Sequence, residues 1–273
     1  MLNTKELDDI KKLQLICEQE EKIQLKLNWE MLKSRNEKEK TDFLYYEDDQ
    51  LIGFLGVYGF GNKVEVCGMI HPNHRRKGIF SKLFSKAINE IKNQNVSQIL
   101  LNSPTRSFSG KEWLKTLPCQ FSFSEHQMKW TETNLGEEEH IMIRPTTPDD
   151  IETEIQLDVQ CFGFSEEEAK VYNQRIKKEN AQDFFIIEEK QQKVGKIRIQ
   201  HIKKEAWIYG FAILPEYQGQ GIGRRAIKKI LRQEHQNGFD IFLEVESKNA
   251  NALKLYESCG FKAYDSQDYY EYK

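Results

Sequence analysis

The chain has 273 residues, and its 40 Lys and Arg nearly balance its 43 Asp and Glu, for a formal net charge of -3. This length favours two domains of ordinary size, and the charge balance argues against the strongly basic surface with which proteins bind nucleic acids. No long uncharged apolar run is present and the N-terminus is charged, so we expect neither a membrane span nor a signal peptide and predict a cytoplasmic protein.

Cysteine and histidine follow no metal-binding pattern. The five cysteines are odd in number and widely spaced, without a CxxC pair, which argues against a disulfide framework and against a zinc knuckle. The six histidines show no ligand spacing such as HExxH. We therefore predict reduced thiols and no metal.

The first half of the sequence predicts a helix, three strands and a second helix. Asn3 and Glu6 form a capping-box pattern for a helix through residue 20. Strands are predicted over residues 43–46, 51–58 and 64–70. The segment 71–80, HPNHRRKGIF, then leads into an amphipathic helix over residues 81–92.

A polar, acidic segment separates the two halves. It covers residues 131–140, TETNLGEEEH, and apolar periodicity stops before it and resumes after it. We place the domain boundary here and predict domains over residues 1–135 and 136–273.

The second half predicts a similar order of elements. A strand at residues 141–144, a turn with helix caps and a helix over 151–160 come first. Three strands with short charged turns between them predict an antiparallel meander over residues 184–188, 194–201 and 206–214. A helix, a strand, a helix and a last strand follow at residues 223–236, 241–245, 251–258 and 269–272.

A glycine-rich segment, QGQGIG at residues 218–223, joins the meander to its helix. Glycine lets backbone approach a ligand closely, and the first N–H groups of a helix favour an anion. The pattern alone is equally typical of a tight turn.

Segments 71–80 and 214–223 both end a strand, turn at a proline, carry a Gly-Ile pair and start an amphipathic helix. The sequence therefore predicts a diverged tandem duplication.

Two linked motifs resemble the GCN5-related N-acetyltransferase (GNAT) family. The family's loop pattern matches at Gln218, Gly221 and Gly223, and the segment 243–261, LEVESKNANALKLYESCGF, follows at the family's separation. Within the family, the C-terminal half is most similar to the branch that acetylates the N-terminal alanine of a ribosomal protein. The resemblance implies an α/β fold of the α+β type, with two tandem acetyltransferase-like domains. Each is expected to hold a mixed, mostly antiparallel, splayed sheet flanked by helices.

The resemblance also implies that the C-terminal domain transfers acetyl from acetyl-CoA to an amino group by direct attack. It assigns Glu244 as general base and Tyr256 as general acid, because the ammonium must lose a proton before attack and the departing thiolate gains by receiving one. Glu205 is a rival base, on the same alternating face as Trp207, Tyr209 and Phe211. The residues expected to bind acetyl-CoA are Phe211, Ala212, Ile213, Gln218, Gly219, Gln220, Gly221, Ile222, Gly223, Arg224 and Asn249.

The first half departs from the family pattern twice. Its loop keeps Arg75 and Gly78 but has Phe80 at the last small position, and the segment 109–121 offers Lys115 or Thr116 where the tyrosine acid stands. We therefore predict a degenerate first domain.

The alternative to an acetyltransferase is a non-catalytic acyl-CoA-binding regulatory protein. The acceptor stays open between an amine-bearing small molecule and a protein N-terminus, and the oligomeric state between monomer and homodimer.

Overall fold

The computed structural model describes residues 2–35, 40–60, 62–92, 96–136, 140–179 and 181–273. The chain forms two compact units. The N-terminal unit comprises Met1–Ser124 and Asp265–Lys273, and the C-terminal unit comprises Glu125–Tyr264. Within the described residues, none of the helices is both long and apolar enough to cross a membrane.

Both units contain helices and strands. The helices are α1 (Thr4–Glu21), α2 (Trp29–Lys33), α3 (Ile79–Ile91), α4 (Phe108–Leu114), α5 (Ile151–Phe162), α6 (Glu166–Glu179), α7 (Ile222–Gln236) and α8 (Ala250–Ser258). The strands are β1 (Asp42–Glu47), β2 (Gln50–Phe60), β3 (Lys63–Ile70), β4 (Gln98–Pro104), β5 (Cys119–Trp130), β6 (Met142–Pro145), β7 (Asp183–Glu189), β8 (Gln192–Ile202), β9 (Glu205–Ile213), β10 (Asp240–Glu246) and β11 (Phe261–Tyr272).

The N-terminal unit is a mixed sheet between helices. Strands β1, β2 and β3 are antiparallel neighbours, β3 and β4 run parallel, and the last part of β11 is antiparallel to β4. Helix α3 packs its apolar side on one face of the sheet and α1 packs on the other. The capping box predicted for α1 is confirmed, since Asn3 Oδ1 accepts from Glu6 N at 2.9 Å and the Glu6 carboxylate accepts from Asn3 N at 2.8 Å.

The C-terminal unit repeats this plan. Strands β6, β7, β8 and β9 are antiparallel neighbours, which confirms the predicted meander. Strand β10 is parallel to β9 and antiparallel to residues 125–129 of β5. Helix α7 packs on one face, where it contributes much of the main core, and α5 contacts the other face through Leu157. The expected fold class is confirmed.

A bulge in β9 changes which face its last residues occupy. Pairing with β8 shifts register between Lys196, opposite Ala212, and Arg198, opposite Tyr209, and Gly210 within the bulge has a φ of +54°. Phe211 consequently packs against the α7 core. The expectation that Phe211 shares a face with Tyr209 is therefore wrong, because the extra residue reverses the strand's alternation.

The chain passes from one compact unit to the other within two strands. The passages lie at residues 124–125 of β5 and 264–265 of β11, and not at the polar segment 131–140. That segment follows the end of β5, where apolar periodicity stops because a strand has ended. Residues 137–139 lie outside the described residues. The functional division into residues 1–135 and 136–273 stays a prediction.

Helix α6 is not expected from the apolar pattern of the sequence. Its residues are mostly charged, which hides the amphipathic period. A capping signal was nevertheless available, since Ser165 N and Oγ donate to Glu168 Oε2 at 2.9 and 2.8 Å and Glu168 N donates back to Ser165 Oγ at 3.2 Å. Strands β4 and β5 and the short helix α2 are likewise absent from the sequence prediction.

Candidate active site

A gap opens between the two parallel strands of the C-terminal unit. Strands β9 and β10 pair from Asp240 opposite Glu205 to Leu243 opposite Ile208. Beyond that pair β9 continues to Ile213 and β10 to Glu246, yet the described residues of these two strands form no further pair with each other. Backbone N–H and C=O groups that line the gap can therefore bind an extended ligand.

The loop after β9 has the backbone shape of an anion-binding turn. Gly219 and Gly221 have φ angles of +74° and +77°, which glycine adopts without strain. A Cβ added at Gly219 would meet nothing within 4 Å, and one at Gly221 would meet only Arg225 Nη1 at 3.4 Å. Gly221 is also the N-cap of α7 and makes no side-chain cap. The first N–H groups of α7 are thus available to a phosphate.

Most other side chains of this loop hold its shape. Gln218 Nε2 donates to the Ile213 carbonyl at 2.8 Å, and Gln220 Nε2 braces the preceding turn through a backbone carbonyl at 3.1 Å. Ile222 is buried in the α7 core, whereas Arg224 is exposed. The loop therefore fits the pyrophosphate of acetyl-CoA through backbone N–H groups, with Arg224 as the accessible cation.

The three expected strand residues flank the gap on both faces. Phe211 and Ile213 pack on the α7 side, and Ala212 packs against Leu157 on the other side. A Cβ on Gly223 would lie 3.5 Å from Phe211 Cζ, so helix and strand approach closely here.

Glu244 is the first residue of β10 beyond the last ladder pair. Leu243 and Val245 belong to the α7 core, so Glu244 points to the opposite face. Gln127, on the neighbouring strand β5, donates from Nε2 to Glu244 Oε1 at 3.0 Å. This bond orients the carboxylate. It could not be predicted from the sequence, because Gln127 lies before the expected domain boundary.

Glu205 lies at the far end of the ladder. It pairs with Asp240, and its carboxylate accepts from Trp207 Nε1 at 2.9 Å. At roughly 3.3 Å per residue, Glu205 is about 16 Å along β9 from Gly210. This position is poor for a base that acts at the gap.

Tyr256 lies on the face opposite Glu244. It is 7% exposed and belongs to the core that contains Leu243. Its ring centroid is 5.8 Å from that of Phe261 and 6.5 Å from that of Phe211. Burial, and then the nearby Cys259, raise the pKa of the Tyr256 phenol well above its ordinary value. The hydroxyl therefore stays protonated.

Asn249 begins the helix that carries the tyrosine. Its Oδ1 accepts from Ala252 N at 3.1 Å as the N-cap of α8, and the residue is exposed. This cap sets the start of α8.

The N-terminal unit contains the same strand-end arrangement. The Ile70 carbonyl accepts from Arg75 Nε at 3.2 Å and from Cys17 Sγ at 3.3 Å. The Ile213 carbonyl likewise accepts from Cys161 Sγ at 3.4 Å in addition to its bond from the loop. The loop backbones match too, because Arg76 and Gly78 have φ angles of +61° and +74°. These contacts support the predicted duplication.

A cavity of about 780 Å³ lies in the N-terminal unit. It is lined by the end of α1, the end of β3, the loop at residues 74–81, the end of β4, and α4. Glu21 is part of the lining, and its carboxylate pairs with Arg75 and accepts from Ser107 Oγ at 2.8 Å and Ser109 N at 3.4 Å. Burial opposes ionisation, but these hydrogen bonds and the Arg75 charge outweigh it and lower the pKa of Glu21.

Among the described residues of the N-terminal unit, the two positions that correspond to the catalytic candidates carry other side chains. Its parallel ladder ends at Val66 opposite Leu101, so the residue that corresponds to Glu244 is Asn102. Ser107 Oγ caps α4 by accepting from Gly110 N at 3.1 Å, as Asn249 caps α8. Counting seven residues from each cap pairs Tyr256 with the buried Leu114. The expectation of Lys115 or Thr116 at that position is wrong, because the cap and not the end of the motif fixes the helix register.

Comparisons with known proteins agree with this geometry. The model described as the acetyltransferase (GNAT) family matches residues 7–109 and 151–261. The [ribosomal protein bS18]-alanine N-acetyltransferase of Escherichia coli is 38% identical over 63 residues, which is 23% of this chain and 43% of that protein. The spermidine N(1)-acetyltransferase of Vibrio cholerae is 35% identical over 98 residues, covering 34% and 56%. The chain thus spans about half the length of these relatives.

A solved structure shows the same fold along nearly the whole chain. The GCN5-related N-acetyltransferase from Sphaerobacter thermophilus superposes with a TM-score of 0.76 and 15% identity, covering 96% of this chain and 91% of that one.

Proposed function

The chain belongs to the acetyltransferase (GNAT) family, and we propose that its C-terminal unit transfers the acetyl group of acetyl-CoA to an amine by direct attack. The observation that carries this proposal is the placement of Glu244 and Tyr256 on opposite faces of the sheet where β9 and β10 separate. A thioester held in that gap has a base on one side and a proton donor on the other.

Acetyl-CoA supplies an activated acyl group whose C–S bond breaks as the new C–N bond forms. The backbone of Gly219 and Gly221 and the first turn of α7 would bind the pyrophosphate. Phe211, Ala212 and Ile213 would bind the pantetheine arm through backbone groups that face the gap, with Asn249 beside it.

Glu244 would accept the proton that the ammonium releases before attack, directly or through one water. Its bond from Gln127 orients one carboxylate oxygen. Glu205 is not favoured, because it lies about five residues of strand away from the gap.

Tyr256 would donate its hydroxyl proton towards the departing sulfur. Since burial keeps the phenol neutral at and above neutral pH, it would stabilise the developing thiolate by a hydrogen bond. Solvent restores the proton after release of the thiol.

The N-terminal unit would bind an acyl-CoA or related ligand without turning it over. Its cavity of about 780 Å³ is lined by a loop that matches the glycine-rich loop of the catalytic unit. Asn102 and Leu114, however, stand at the positions of the base and the acid. In this proposal the C-terminal unit catalyses acetyl transfer and the N-terminal unit has the non-catalytic binding function.

The test is substitution of the two candidate bases. Glu244→Gln should lower the single-turnover rate of thiol release by about 10²-fold or more, with acetyl-CoA affinity unchanged. Glu205→Gln, which removes the same charge on the neighbouring strand, should leave the rate near that of wild type. Spermidine and a peptide with N-terminal alanine are the first acceptors to use, because the named relatives act on such amines. A full rate in Glu244→Gln would contradict the proposal.

A further inference from the structure

Two parallel strands separate in the N-terminal unit, as β9 and β10 do in the C-terminal unit. The last pair of β3 and β4 is Val66 opposite Leu101, and the strands continue to Ile70 and Pro104. The cavity of about 780 Å³ is lined by both strand ends and by the loop at residues 74–81. A ligand that follows the path proposed for acetyl-CoA would run from this loop into the gap between the strands.

The carboxylate of Glu21 connects the two strand ends. It pairs with Arg75, whose Nε donates to the Ile70 carbonyl at the end of β3 at 3.2 Å. It also accepts from Ser107 Oγ at 2.8 Å, and Ser107 N donates to the Pro104 carbonyl at the end of β4 at 2.8 Å. Glu21 therefore links β3 to β4 through one residue on each side of the gap.

The same contact joins the two faces of the sheet. Helix α1, which ends at Glu21, packs on one face through Cys17, and α4 packs through Leu114 on the face that carries α3. A bond from the N-cap of α4 to the end of α1 therefore spans the sheet where its strands have parted. The Glu21 side chain is 12% exposed, so these bonds are largely shielded from water.

The C-terminal unit has a different residue at the position of Glu21. Cys161 corresponds to Cys17, because the Sγ of each donates to a strand-end carbonyl. Four residues after Cys161, as Glu21 is four residues after Cys17, stands Ser165. Its N and Oγ donate to Glu168 Oε2 at the start of α6, so this residue caps a helix.

The residues that frame the gap of the C-terminal unit share no such bridge. Gln218 takes the place of Arg75, since its Nε2 donates to a strand-end carbonyl at 2.8 Å. Asn249 takes the place of Ser107 as a helix N-cap. Within the described residues of this unit, no side chain hydrogen-bonds with both Gln218 and Asn249. A side-chain bridge across the gap therefore distinguishes the N-terminal unit from the unit that we propose to be catalytic.

We propose that Glu21 is a latch on the N-terminal gap, so that acyl-CoA binds in this unit only when the carboxylate releases Ser107. The inference rests on the proposed function, which places an acyl-CoA in this cavity. The pantetheine arm would pass between the loop and the N-cap of α4, which Glu21 now connects. The carboxylate also neutralises Arg75, a cation that would otherwise attract the phosphates of the ligand. A closed latch lowers the apparent affinity in proportion to the small fraction of open molecules.

The first test measures acetyl-CoA binding by the N-terminal unit within the full chain. Gly221→Glu blocks the loop of the C-terminal unit, so calorimetry on this variant reports the remaining site. Adding Glu21→Ala should tighten acetyl-CoA binding by about tenfold or more, the value of one hydrogen bond to a charged group. Adding Gly78→Glu as well should remove this gain, because the gain belongs to the N-terminal loop.

Two further variants in the Gly221→Glu protein separate the bridge from the charge. Glu20→Ala removes the same charge from an exposed neighbour that also lines the cavity, and it should leave the affinity unchanged. Glu21→Asp keeps the charge but shortens the side chain by one methylene group. It should therefore weaken the bridge and tighten acetyl-CoA binding in part.

Thermal unfolding gives a readout that a merely structural role would not move. The latch bonds stabilise the protein only while the gap is empty. Glu21→Ala should therefore lower the unfolding temperature without acetyl-CoA and enlarge the rise that acetyl-CoA produces. A residue that only supports the fold would lower the first value without enlarging the second.

The outcomes separate the latch from the catalytic proposal. Equal or weaker acetyl-CoA binding after Glu21→Ala would overturn the latch, as would an equal gain from Glu20→Ala or a gain that survives Gly78→Glu. Absence of binding in every Gly221→Glu variant would also overturn it, because no closed site would then exist. Failure of the proposed function would show separately, as absence of amine-dependent thiol release by the wild-type protein.

Discussion

The ring of Phe80 lies against Gly68 in the N-terminal unit: a Cβ added to Gly68 would be 2.7 Å from Phe80 Cε2. In the C-terminal unit the roles are reversed, with Gly223 on the helix and the ring of Phe211 on the strand. One aromatic ring therefore fills the contact between strand and helix in each unit. This explains how the first loop accommodates a bulky residue where the family pattern has a small one.

Gly68→Ala should destabilise the protein by about 1–3 kcal/mol, the usual cost of overpacking. The added methyl group would meet the Phe54 carbonyl oxygen at 2.5 Å as well as the Phe80 ring. Gly59→Ala is the matched control, because a Cβ there meets nothing within 4 Å. Urea denaturation measures both, and equal stability of the two variants would contradict the close packing.

A fragment of residues 136–273 should not unfold cooperatively. It lacks residues 125–130 of β5, of which residues 125–129 pair with β10, and Met128 and Trp130 belong to the main core of the C-terminal unit. Loss of a paired strand leaves an exposed edge and an open core. Circular dichroism during heating tests this expectation, and a sharp transition with native helix content would show that the predicted boundary does define an independent domain.

The rate of acetyl transfer should not fall through ionisation of Tyr256 between pH 8 and about 10, the ordinary value for a tyrosine. Burial raises the pKa of this phenol, so its active, protonated form persists above that pH. The same shift adds stability that is present below about pH 10 and lost as pH rises through the raised value. The profile of kcat against pH is the measurement, with Tyr256→Phe as the control. A fall in kcat with rising pH below pH 10 that is absent in Tyr256→Phe would contradict this prediction.

Local rules in the sequence predicted much of the fold. The capping box of Asn3 and Glu6 placed α1, and the glycines before α7 placed the loop, because each feature depends on residues close together in the chain. The duplication was visible for the same reason, since proline, Gly-Ile and an apolar helix recur in order.

Features set by partners distant in the chain were not visible. The bulge at Gly210 and the resulting position of Phe211 depend on the register with β8. Gln127 contacts Glu244 only because β5 pairs with β10. The buried pairs of Lys196 with Asp158 and of Lys177 with Glu154 likewise join residues that are far apart in the chain.

The two loops offer a matched pair of substitutions for the central claim that the C-terminal unit performs the chemistry. Gly78 and Gly221 are both left-handed N-caps, with φ angles of +74° and +77°, so Gly78→Glu and Gly221→Glu impose similar backbone strain and the same charge. The measurement is amine-dependent thiol release by both variants, with acetyl-CoA binding followed by calorimetry. Our account predicts that Gly221→Glu abolishes turnover and that Gly78→Glu retains it. Turnover lost in Gly78→Glu and kept in Gly221→Glu would contradict the account and move the active site to the N-terminal unit.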